Sequence, residues 1–149
     1  MILTTQIATL WVNALRNDAA LAAWGQASYG WPVKVIAGAS PKRPAGEKDA
    51  PFVVVSCVDD ERGGVSEFSY TLGVDLGVIM STGQEVLDVQ ILLDQQLSAE
   101  VERVLMAVSQ NLVFESIKEN FEEAFDPLFV LEKTITVTVP HTLGGAVQL

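Results

Sequence analysis

Two hydrophobic rhythms run along this chain, one with the period of a helix and one with a period of two. Ile7, Leu10, Trp11, Ala14 and Leu15 recur at three- and four-residue steps, which gathers them on one face and predicts an N-terminal helix. Asn17 and Asp18 interrupt the pattern, and Asp18 is placed to cap a second short helix through Ala19, Leu21, Ala22, Ala23 and Trp24. Gly25 and then Tyr29-Gly30-Trp31-Pro32 are expected to end the helical region, with a short strand at Val33 to Ile36 after it. Residues 37–51 hold three prolines and two glycines, which predicts one long loop without regular structure.

Phe52 to Asp59 is apolar on both faces, as expected of a strand inside a sheet. Asp59 to Gly64 reads as a turn. Beyond it Phe68, Tyr70, Leu72, Val74, Leu76, Val78 and Met80 alternate with Glu67, Ser69, Thr71, Gly73, Asp75 and Gly77. That is a strand with one face on the core, paired antiparallel with its predecessor. A long helix is expected from about Gln84 to Gln110, its stripe formed by Val86, Val89, Leu93, Leu97, Val104 and Val108 and widened by Leu92, Val101 and Leu105. Residues 112–126 fit either period, and a short strand running into an irregular acidic segment is the expectation. Phe129, Leu131, Ile135, Val137 and Val139 alternate with Glu132, Thr134, Thr136 and Thr138 in a last half-buried strand before Pro140. The fold class is therefore α+β. One domain carries a mostly antiparallel sheet of four to five strands against an N-terminal helix and one long helix.

Composition narrows the function more than it defines it. The chain has 149 residues, 49% of them hydrophobic, with mean hydropathy +0.31, which excludes a disordered chain. Nine Lys and Arg stand against 19 Asp and Glu, a formal charge of −10, and an acidic globule repels nucleic acid. Three of those nine cations, Lys42, Arg43 and Lys48, lie in the long loop. A basic loop on an acidic body suits contact with another copy or a partner. Cys57 is the one cysteine, so neither an internal disulfide nor a cysteine metal site is expected. The first residues lack the pattern of a signal peptide and no apolar run approaches a membrane span, so a cytoplasmic protein is expected.

Candidate chemistry is sparse. His141 is the single histidine and follows a proline, away from any recognisable Ser or Cys nucleophile. Asp59-Asp60-Glu61 offers oxygen ligands without the spacing of a calcium loop. Glu115, Glu119, Glu122, Glu123 and Asp126 form an acidic run that reads as a solvated or partner-facing surface rather than an acid/base pair. Gly63-Gly64, Gly73, Gly77 and Gly144-Gly145 match neither the phosphate-loop nor the dinucleotide fingerprint. Within the alternating strand, Gly73 and Gly77 flank Asp75 and mark either a bulge or a smooth face that another subunit meets.

The layout resembles the phage tail-terminator or tail-completion family, which includes minor tail proteins of the U type. What carries the likeness is the order of elements over about residues 3–139. An N-terminal helix, short strand and Pro-rich loop lead to Ala50-Pro51-Phe52-Val53-Val54-Val55; an acidic turn, the strand from Ser66 to Met80, the long helix and a final strand ending at Thr138-Val139 follow. The resemblance implies a non-enzymatic structural protein without cofactor or metal, acting in the virion tail after assembly in the bacterial cytoplasm. Copies would form a hexameric ring that caps the tail tube, ends its polymerisation and joins tail to head. Its partners would be the tail-tube protein and a head-completion or neck protein, with DNA only passing through the lumen. It further implies that Lys42, Arg43 and Lys48 contact a neighbouring subunit or the tube. Glu67, Gly73, Asp75, Gly77 and Glu132 would face the lumen or a subunit. A neck or head-completion protein of similar fold is the alternative, and a small enzyme or ligand-binding domain a more distant one.

Overall fold

The computed structural model describes residues 2–38, 44–61, 67–122 and 126–140, and for Asp60, Glu61, Glu67 and Pro140 it describes the backbone alone. Helix α1 (Thr4–Asn17) begins where the Gln6 side chain accepts the Leu3 N–H at 2.7 Å, and it buries Ile7, Trp11, Val12 and Leu15. Asp18 then leaves helical geometry, and its carboxylate accepts the Leu21 N–H at 2.8 Å to cap α2 (Ala19–Tyr29). The same carboxylate takes a 2.7 Å bond from Arg103, which holds its pKa below the usual carboxylate range and ties the start of α2 to the far helix. Gly25 does not end α2, contrary to expectation. It sits inside the helix, where a Cβ would stand 2.5 Å from Val33 N and 2.9 Å from the Pro32 carbonyl carbon. The stop is Gly30, in the left-handed region at φ 86°.

Strand β1 (Lys34–Ala37) follows, then a 3-10 turn (Glu47–Asp49), β2 (Phe52–Glu61) and β3 (Glu67–Ile79). Helix α3 (Val86–Ile91) continues through a π-helical turn (Leu92–Leu97) into α4 (Ser98–Val108), before β4 (Val113–Phe121) and β5 (Leu128–Pro140). The sheet order is β1-β2-β3-β5-β4, with β1–β2 parallel and every other pair antiparallel. This is the expected α+β domain. The undecided segment after the long helix is edge strand β4. Asp59 to Glu61 extend β2 rather than forming the turn, pairing with Thr71, Tyr70 and Ser69.

The long helix starts two residues later and ends two earlier than its periodicity predicts, and Val86 is exposed rather than part of the stripe. Its buried residues Val89, Leu93, Leu97, Val101 and Leu105 recur at strict four-residue steps. In a regular α-helix each such step overshoots a full turn by about 40°. The wider π turn absorbs part of that drift and keeps the stripe on the sheet.

All the helices lie on one face. Against them pack Tyr70, Leu72, Val74, Leu76 and Val78 of β3 and Leu131, Ile135 and Val137 of β5, with Trp11 at the centre donating to Ser109 Oγ at 2.8 Å. Thr138, near the upper end of the opposite face, is buried, and loop residues cover the lower end of that face. Ala45 and Ala50 of the loop pack there on Phe52, Val54, Ile79 and Leu128 in a second, small apolar cluster. The rest of that face carries no helix among the described residues.

Helix propensity alone would make Gly25→Ala stabilising by about 1 kcal/mol. Because the added methyl meets backbone atoms that cannot rotate away, the substitution is expected to lower stability by about 1–3 kcal/mol. A urea midpoint at or above the wild-type value would contradict this packing.

Candidate functional site

The uncovered face gathers most of the residues that the sequence singled out. Gly73, Asp75 and Gly77 occupy alternate positions of β3 on that face, and Asp75 is directly opposite Glu132 of β5. The two glycines mark no bulge; the irregularity in β2 lies instead between Cys57 and Asp59. A Cβ on Gly77 would collide with the Phe52 ring, and one on Gly73 would stand 2.8 Å from Ser56 Oγ. Each glycine therefore makes room for its cross-strand neighbour, Phe52 or Ser56. Thr71 and Thr136 continue the face, with their hydroxyls 3.2 Å apart in a hydrogen bond. The result is a level surface of small side chains around two facing carboxylates.

A third carboxylate joins them. Glu122, from the acidic run, follows β4, and its N–H donates to Val130 O at 3.1 Å. A hydrogen bond with Glu132, then burial, then the charges of Glu132 and Asp75 push its pKa up to about 7. Burial first and the Glu132 charge second push Asp75 up to about 6. Among the described residues no cation is among the causes acting on either group.

Lys48 lies at the lower end of the same face, exposed on the 3-10 turn, beside Ile79. That turn is fixed by Lys34 donating to Asp49 at 2.7 Å and Trp31 Nε1 donating to Ala50 O at 2.9 Å. Glu67 begins β3 opposite Pro140, with its side chain outside the description. Lys42, Arg43, Gly63, Gly64, Glu123, His141, Gly144 and Gly145 lie outside the described residues.

Sequence reasoning missed a fully buried charge that makes three hydrogen bonds. Lys133 occupies a core-facing position of β5 and is 0% exposed. Its ammonium donates to Ser98 Oγ at 2.6 Å, Glu102 Oε1 at 2.6 Å and Glu119 Oε1 at 2.7 Å. Asp94 of the π turn hydrogen-bonds Glu119, and burial followed by the Glu119 charge raises its pKa. The available signal was a lysine at an apolar beat between Leu131 and Ile135. A serine and a lysine at 2.6 Å resemble a nucleophile–base dyad, but a base must lose its proton. The ammonium already donates to two carboxylates, and Ser98 is only 2% exposed. This cluster therefore joins helix to edge strand and is not arranged for nucleophilic chemistry.

One groove, of about 390 Å³, opens between α1 and the β1–β2 edge, lined by Thr5, Thr9, Val12, Arg16, Val55 and Cys57 among others. The Arg16 guanidinium is turned to the Val35 carbonyl at 3.1 Å, so it does not face a ligand as a free cation. Among the described residues no three His, Cys, Asp or Glu side chains are arranged to hold a metal ion, and no helix is long and apolar enough to cross a membrane.

Two predictions come from these charges. Unfolded, Asp75 and Glu122 titrate near 3.8 and 4.5; folded, near about 6 and about 7. Between those values the folded chain holds protons that the unfolded chain has released, so stability falls as pH rises from about 4 to about 7 and the penalty is complete above that. Asp94 contributes with the same sign, whereas Asp18 and Asp49, both lowered, matter only as pH falls through the acid range. Asp75→Asn should flatten the slope measured by urea unfolding between pH 5 and 8; an unchanged slope would show that Asp75 is not the group responsible.

The second concerns Lys133. In Lys133→Met the freed carboxylates, each partly exposed, can turn to water, so stability is expected to stay within about 1 kcal/mol of wild type or rise. The double substitution Glu102→Gln with Glu119→Gln leaves a buried charge uncompensated and should cost about 3–5 kcal/mol. Equal losses in both variants would refute this asymmetry.

No protein-family model and no curated protein matches the sequence, so the functional reading draws on the geometry above and on the order of the elements.

Proposed function

We propose that this protein is a non-enzymatic structural component of a phage or prophage tail. Identical copies close into a ring on the head-proximal end of the tail tube, stop its polymerisation and present the surface that joins tail to head. The observation that supports this best is the open sheet face. It is hydroxyl- and glycine-rich, acidic at its centre and without a helix among the described residues, which suits a surface turned to a lumen or a neighbouring subunit. The order of elements that carried the resemblance is present throughout the described chain, from α1 through the β2–β3 hairpin and the long helix to β5. In this reading the loop around Lys48 touches a neighbouring subunit or the tube, and DNA passes the ring without being gripped. The protein would then be made in the bacterial cytoplasm and work in the virion.

Native mass spectrometry across concentration, with negative-stain imaging of large species, tests the ring. A closed assembly near six copies is expected, and addition to the polymerising cognate tail-tube protein should cap tubes at one end. Tubes that grow unchanged in its presence would overturn the terminator reading. Capture of a neck protein without any effect on the tube would favour the head-completion alternative.

A further inference from the structure

We propose that the segment after Pro140 adds as an extra strand to the outer edge of β4 in a neighbouring copy of this chain, laying Leu143 and Val147 over that copy's exposed Leu87, Ile91 and Phe121. The inference rests on the reading that identical copies close into a ring, and it names the contact that joins one copy to the next.

The acceptor is built where the long helix meets the edge of the sheet. Among the described residues the outer edge of β4 pairs with no strand, which leaves a row of backbone donors and acceptors for an incoming chain. The hydrogen bond between Asp94 and Glu119 sets the helix beside this strand. Below that bond the seam turns apolar. Phe121 is opposite Leu131 and so shares the face of Glu119, while Ile91 and Leu87 precede Asp94 by about one and two helical turns. Leu87 is 64% exposed, and Ile91 and Phe121 are each 39% exposed. A strand added beside β4 would cover them.

The donor has the matching pattern. Leu143, Gly145, Val147 and Leu149 alternate with Thr142, Gly144, Ala146 and Gln148, a period of two over eight residues against the nine of β4. Residues 141–149 contain no Asp, Glu, Lys or Arg, so this stretch can approach another copy of a chain with charge −10 without repulsion of its own. Reach decides whose segment arrives. Phe121 lies opposite Leu131, nine strand residues or about 30 Å from Pro140. Fully extended, Leu143 stands at most about 11 Å beyond Pro140 and Val147 at most about 25 Å. Crossing the end of β4 to its outer edge uses part of that length, so neither residue reaches the patch of its own chain. The donor leaves the upper end of the sheet and the acceptor lies low on its outer edge. Two different surfaces therefore meet head to tail, the kind of contact that closes into a ring.

Disulfide trapping on the full chain tests this. In a Cys57→Ser background, Leu87→Cys combined with Val147→Cys should give, on mild oxidation, a ladder of covalently linked copies on a non-reducing gel. A monomer closed by an internal disulfide, or no cross-link at all, overturns the proposal. Sedimentation velocity reads the direction of the contact. Leu87→Asp and Val147→Asp should each weaken association about tenfold or more. Mixed one to one, the two variants should form a pair and nothing larger, because each keeps one half of the joint and only one intact contact can form. Single variants that associate like wild type, or a mixture that stays monomeric, overturn the proposal. Tube capping separates the two readings. A Val147→Asp variant that still closes into a ring and caps tubes overturns the inference alone. Copies that cross-link into a ladder yet never cap a tube support the inference and overturn the terminator reading.

Discussion

The fold hangs on one pairing. β3 and β5 run antiparallel in unbroken register from Glu67 opposite Pro140 to Ile79 opposite Leu128. Alternation along two such strands forces every second side chain to one face. Once Tyr70, Leu72, Val74 and Leu76 lie under the helices, Thr71, Gly73, Asp75 and Gly77 have to lie on the other side. The helices are too few to cover both faces. The open face is thus a consequence of how the core is built, and its polarity is the condition under which the core can exist in water.

Lys133 is where that alternation is broken, and the break is electrostatically reasonable. The seam between the helix and β4 carries Asp94, Glu102 and Glu119, three carboxylates in a chain already rich in them. An aliphatic residue at position 133 would leave the partly exposed Glu102 and Glu119 carboxylates to turn to water, and the helix would lose its polar link to the edge strand. Lys133 stands directly opposite Glu119 in the β4–β5 ladder, so its ammonium joins the edge strand to its neighbour and to the helix at once. Among the described residues edge strand β4 has β5 alone for a partner. The stacked pair Trp11–Phe114, with ring centroids 6.1 Å apart, holds its other end.

Much of this architecture is legible in the residue pattern because it follows from period and alternation. The β3 beat from Phe68 to Val78 names the core face residue by residue, and Asp18 announces its cap. What escapes the pattern depends on residues distant in sequence. Gly25 reads as a helix stop because the backbone of Trp31 to Val33, which needs its missing side chain, is visible only in three dimensions. Gly73 and Gly77 leave bulge and interface open until Ser56 and Phe52 are seen across from them. Asp75, Glu132 and Glu122 are separated by 57 and 10 residues, and only the sheet order β3-β5-β4 makes them neighbours. Lys133 is the sharpest case, since its meaning comes from Ser98, Glu102 and Glu119 on two other elements.

The distribution of charge then bears on why such a face would need a partner. The formal charge of −10 understates how acidic the outer surface is, because several of the nine cations are turned inward or already paired. Arg16 serves the Val35 carbonyl, Lys34 serves Asp49, Arg103 serves Asp18 and Glu100, and Lys133 is wholly internal. On the open face the pKa of Asp75 is raised by burial first and by the Glu132 charge second, and that of Glu122 by its hydrogen bond with Glu132 first and by burial second. Lys118 of β4, opposite Thr134, shares this face one rung from Glu132. Relief of the burial and the repulsion comes from protons or from positive groups near the face, and only the second operates well above neutral pH.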